Sequence, residues 1–81
     1  MKAIQTKYLG PTNNRGSRIK AFDCDGNSVT ISYDSSKNSD ANHRTAAVTL
    51  AEKMNWKGTI SGGYVDKGMV WVFVGDIYAI V

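Results

Sequence analysis

His43 is the only histidine in the chain and Cys24 the only cysteine. A general base needs a nucleophile and an orienting acid within hydrogen-bond reach. Asp23 and Asp25 flank Cys24, and neighbouring carboxylates disfavour the thiolate that a nucleophile requires. These types and spacings point away from a Cys24–His43 dyad. They predict a histidine at the edge of a helical core and a small, partly exposed cysteine in a turn.

Metal and phosphate chemistry fare no better. Asp23, Asp25 and Asn27 alternate like the start of a calcium loop. Such a loop needs Glu at its twelfth position and flanking helices; counted from Asp23 that position is Asp34, and the residues between read as a strand. A structural zinc site needs four ligands, and one Cys with one His cannot supply them. Gly62-Gly63 precedes no Lys-Ser or Lys-Thr pair, so it is no phosphate loop; a bend or bulge in a strand is expected instead. The chain reads as non-enzymatic, with no cofactor and no metal.

What remains is a basic loop. Asn13, Asn14, Arg15, Gly16, Ser17 and Arg18 combine backbone donors with two guanidinium groups, a composition that can cradle a phosphate or carboxylate. Lys7 and Lys20 extend the patch, and Tyr8 and Phe22 offer flat faces for bases. The structural alternative is that these charges only solvate a sheet edge. Residues 1–22 hold five bases and no acid, whereas residues 23–81 hold five bases and seven acids, so the two stretches carry +5 and −2. The positive charge is concentrated around this loop.

The elements that must position the loop follow from periodicity. Residues 3–9 alternate as a strand, with Ile4, Thr6 and Tyr8 on one face. The turn formers of 10–16 make an exposed loop. Residues 17–23 and 27–33 form a hairpin around Asp25-Gly26, a dipeptide that favours tight primed turns. A helix is predicted over 41–54, capped by Ser39 or Asp40. His43, Ala46, Ala47, Leu50, Ala51 and Met54 make its inner face, and Arg44, Thr45, Thr49, Glu52 and Lys53 its outer one. Asn55 and Gly58 end it, with Trp56 packed on its last turn. Residues 59–65 and 69–74 form a second hairpin turning at Asp66-Lys67-Gly68, and its second arm is apolar on both faces, as in a central or partner-covered strand. The tail Ile77-Tyr78-Ala79-Ile80-Val81 is apolar enough to add a strand or enter an interface. The expected fold is a single α+β domain over 1–81: an antiparallel sheet of four to five strands with one helix on one face.

At 81 residues only a small core forms, which leaves no room for a large internal pocket. With one cysteine no internal disulfide forms, which fits a reducing compartment. No apolar run approaches the roughly 18–20 residues of a membrane span. Residues 1–7 lack the apolar segment of a secretory signal, so a cytoplasmic location is expected. Trp71, Phe73 and Tyr78 are candidate interface residues, because aromatics are enriched at interfaces and one helix covers one face only. A homodimer is the corresponding expectation.

Two segments together resemble small uncharacterised proteins encoded by bacteriophages and prophages. They are residues 6–21, TKYLGPTNNRGSRIKA, and Asn42-His43-Arg44-Thr45-Ala46-Ala47 with Leu50-Ala51-Glu52-Lys53 and Trp56. Small phage accessory proteins of this sort include inhibitors of host immunity such as anti-CRISPR proteins. The resemblance implies stoichiometric binding to a host protein complex; the basic loop and its neighbours, Lys7, Asn13, Asn14, Arg15, Arg18 and Lys20, are the expected docking residues. A simple DNA mimic would be acidic, and this chain is not. The alternative is direct nucleic-acid binding through the same basic patch.

Overall fold

The computed structural model describes residues 3–74. Five strands and one helix follow in the order β1 (Ile4–Leu9), β2 (Arg18–Phe22), β3 (Ser28–Ser32), α1 (Ser39–Lys53), β4 (Ile60–Val65) and β5 (Gly68–Phe73). All neighbouring strands are antiparallel, and the sheet runs β3-β2-β1-β5-β4. The fold is the expected α+β sheet with a helix packed on it. Among the described residues β5 inserts beside β1, so β5 is an interior strand and β4 an edge.

Local chemistry explains each boundary. Asp23 accepts backbone N–H bonds from Asp25 and Asn27 at 2.9 Å each, and the Asn27 amide at 2.8 Å. These bonds shape the β2–β3 turn, where Gly26 takes φ 91°, a conformation that costs glycine little. The second hairpin turns on Asp66 and Lys67 alone; Gly68 already pairs with Val65 as the first residue of β5. Helix α1 is capped by Asn38, whose Oδ1 accepts from Ala41 N at 2.8 Å. Ser39 and Asp40, the expected caps, lie inside the first turn, where the Asp40 charge suits the helix dipole. At the other end Asn55 sits at φ 59°. Its N–H reaches the Glu52 carbonyl and that of Trp56 the Ala51 carbonyl, the paired bonds of a Schellman ending.

The core lies between α1 and the sheet. Ile4, Ile19, Ala21, Ala46, Ala47, Leu50, Met69, Trp71 and Phe73 are buried there. Fully burying a side chain such as Ile or Leu contributes about 1.5–3 kcal/mol, and the alanines let the helix approach closely. Contacts concentrate on β2, β1 and β3, so the helix axis lies to one side. Over the β5 half, the Arg44 guanidinium lies 5.6 Å from the Trp71 ring centroid. Trp56 meets Phe73 edge-on at 6.3 Å, and the Tyr64 hydroxyl bonds the Asp40 carboxylate.

Two expectations change here. Trp71 and Phe73 are buried within the chain itself, 2% and 8% exposed, so they need no second subunit to shield them and are not available as interface residues. Gly62-Gly63 makes no bulge: the register runs unbroken from Ile60 to Val65. Asn42, unassigned by periodicity, is buried and polar; it accepts from Asp34 N at 2.7 Å and donates to the carbonyls of Asp34, Lys37 and Asn38. That one amide ties the β3–α1 linker to the helix. Tyr78 and the rest of the apolar tail lie outside the described residues.

Candidate functional site

The sheet face away from α1 is built by alternation. Ile4 and Thr6 are buried against the helix side, so Gln5, Lys7 and Leu9 point the other way. Ile19 and Ala21 are buried, which turns Arg18, Lys20 and Phe22 to the same open face. Register then adds Ser28, Thr30 and Ser32 from β3. Three cross-strand rows result: Gln5, Phe22, Ser28; Lys7, Lys20, Thr30; Leu9, Arg18, Ser32. Arg18 to Phe22 spans about 13 Å at about 3.3 Å per residue.

The electrostatics of this face are one-sided. None of the five strands contains a carboxylate. Lys7 and Lys20 are direct cross-strand partners, and like charges so placed are destabilising. Both ammonium groups stand near the Phe22 ring, at 5.5 and 5.7 Å from its centroid. Cation–π attraction of about 0.5–1 kcal/mol each at exposed sites offsets part of the repulsion. A cleft of ≈ 380 Å³ opens beside Lys7, lined also by Gln5, Phe22, Val65, Asp66 and Lys67. It brings the β4–β5 turn, with both Lys67 and the Asp66 carboxylate, to the rim of the same surface.

The loop between β1 and β2 adjoins the Arg18 end. Thr12 organises it: its N–H reaches the Arg15 carbonyl at 2.8 Å, and its Oγ1 accepts from Asn14 N and Arg15 N at 3.3 and 3.1 Å. Asn13, Asn14 and Arg15 are exposed. Arg18 donates Nε–H to the Gly16 carbonyl at 3.3 Å, so its guanidinium braces the loop. The loop base is pinned by the Tyr8 hydroxyl against Ser17 Oγ at 2.7 Å and by Tyr8 against Tyr33, edge-on at 5.6 Å. Tyr8 thus supports the loop from the helix side of the sheet, while Phe22 alone of the two aromatics joins the basic face.

The residues with catalytic potential are occupied elsewhere. His43 is buried with Thr6 and Trp71: Nδ1 lies 2.7 Å from Thr6 Oγ1, and Trp71 Nε1 donates to the same oxygen at 3.0 Å. Indole N–H is donor only. The assignment satisfying all three groups has Thr6 giving its proton to a neutral His43. Burial lowers the His43 pKa, opposed by the Asp40 charge. Cys24 is exposed in the β2–β3 turn, 3.8 Å from the Asp25 carboxylate. Both Asp23 oxygens accept turn N–H groups, and no group of three or more metal-ligating side chains exists among the described residues. No helix of the described residues is long and apolar enough to cross a membrane.

The assembled site is therefore a basic surface of Lys7, Lys20, Arg18 and Phe22, bordered by hydroxyls and by the Asn13–Asn14–Arg15 loop tip. Comparison with known protein families, characterised proteins and solved structures finds no match for this chain.

Proposed function

We propose that this chain is a non-enzymatic binding protein, a phage or prophage accessory factor that docks stoichiometrically on an acidic surface of a host defence complex. The observation that carries the reading is the Lys7–Lys20 pair on strands that contain no carboxylate. A fold keeps such a repulsive pair at a cost, and an anionic partner removes that cost on binding. The exposed Arg15 and the asparagines beside it extend the contact beyond the sheet. The resemblance of residues 6–56 to phage-encoded proteins supports the accessory role.

The test is capture from a bacterial lysate, with and without nuclease, by the native chain and by the Lys7→Glu/Lys20→Glu variant. A single stoichiometric protein partner that survives nuclease and is lost with the variant is expected. Recovery of nucleic acid alone defeats this reading.

That outcome would favour a second one, single-stranded nucleic acid on the same face. Phe22 with two ammonium groups near its ring, beside the Ser28, Thr30 and Ser32 hydroxyls, supports it. It requires affinity that falls steeply with salt; equal affinity at low and moderate salt rules it out.

A further inference from the structure

Among the described residues, β4 bonds to β5 alone. In an antiparallel ladder, residues alternate between those whose N–H and C=O bond the neighbour and those whose groups point away. Val74 N–H donates to the Thr59 carbonyl at 2.9 Å. Counting along the strand by twos puts Ser61, Gly63 and Val65 on the bonded side. The backbone groups of Ile60, Gly62 and Tyr64 therefore point outward from the sheet.

The other edge is treated differently. On β3 the outward residues are Ser28, Thr30 and Ser32, since Tyr33 N–H reaches the Ser17 carbonyl. There Lys53 reaches across from α1 and donates Nζ to the Ser28 carbonyl at 3.0 Å. A lysine over an edge is a common guard against strand addition. β4, with the sequence ISGGYV, carries no charge and no proline. Its Tyr64 is 74% exposed and its Val65 44%. The Tyr64 hydroxyl is tied to Asp40, which fixes the ring on the helix side of the edge.

We propose that β4 pairs antiparallel with β4 of a second copy, Gly62 opposite Gly62. Directly opposed residues share a face, so a two-fold pairing centres on a residue. Centred on Gly62, Ile60 stands opposite Tyr64 of the second copy, an aliphatic–aromatic pair. All three outward residues of each strand then find outward partners. Centred on Gly63, Ile60 falls opposite Asp66 and leaves the ladder. Within the strand no charge meets a like charge, so the edge complements itself.

The dyad stands perpendicular to the sheet. Both helices lie on one side, and both Lys7–Lys20 pairs lie on the other. The two β1 strands are five strand spacings apart, about 24 Å at about 4.8 Å each. The dimer presents two basic surfaces in one plane, a bivalent arrangement that raises avidity for an extended or repeated anionic partner. The pairing itself does not depend on what that partner is.

Light scattering across a concentration series and amide hydrogen exchange on the full chain test this. The expected result is a dimer at high concentration, with exchange at Ile60, Gly62 and Tyr64 slowing as it forms. Exchange at Ser61, Gly63 and Val65, already bonded to β5, stays unchanged. Tyr64→Pro removes an outward N–H that the monomer does not use, and should leave a folded monomer. A chain that is monomeric up to about 1 mM, or a dimer in which those three amides exchange at the monomer rate, overturns the proposal.

Discussion

The indole of Trp71 occupies the space that a side chain on Gly62 would need. A Cβ built at Gly62 would lie 2.4 Å from the ring, closer than real contacts allow. The two residues are cross-strand partners in the β4–β5 ladder, and Trp71 is the largest fully buried side chain. Glycine here permits a tryptophan to lie flat over the sheet under a single helix.

Gly62→Ala must therefore displace Trp71 or β4. Overpacking of this kind costs about 1–3 kcal/mol. At Gly63 an added Cβ meets nothing within 4 Å, and Gly63→Ala should stay within about 0.5 kcal/mol of the native chain. Urea denaturation of both variants measures the contrast. Equal effects would show that Trp71 does not set the requirement.

His43 makes stability depend on pH. Burial is the main cause that lowers its folded pKa, with the Asp40 charge opposing it. In the unfolded chain the imidazole titrates near 6.5. Between the two values the unfolded state binds more protons, so stability rises with pH. The contribution is fully present above pH 6.5 and is lost as pH falls toward the folded pKa. Denaturation midpoints between pH 7.5 and 5 should decline in the native chain, and the part of that decline due to His43 should vanish in His43→Leu. Thr6→Val, which leaves the buried Trp71 N–H without its acceptor, should cost about 1–3 kcal/mol at either pH.

The Lys7–Lys20 pair predicts opposite effects on stability and binding. Lys20→Thr removes the cross-strand repulsion and should leave the fold unchanged or stabilise it by a few tenths of a kcal/mol. The same change should weaken binding to the anionic partner by about tenfold, ~1.4 kcal/mol. Thermal melts and titration against the captured partner read the two separately. A variant that loses both stability and binding would place Lys20 in the structure rather than at the contact.

Much of the fold is written in local pattern. The period of two in residues 4–9 and 18–22 places Lys7, Arg18, Lys20 and Phe22 opposite the buried residues. The Asp25-Gly26 pair marks the first hairpin, and the alanine-rich spacing of α1 predicts its buried side. These are decided within a few residues, because side-chain direction follows directly from the backbone repeat.

Only tertiary structure decided which strands meet. That β5 inserts between β1 and β4 makes Trp71 and Phe73 core residues, leaves β4 as an edge among the described residues and carries Lys67 to the cleft. The same placement brings Thr6, His43 and Trp71 onto one oxygen, from positions with no sequence relationship. Periodicity assigns a face to each residue, but it carries no term for a partner many residues away. That choice belongs to the packing of the whole chain, where one register buries the tryptophan over a glycine and satisfies its N–H.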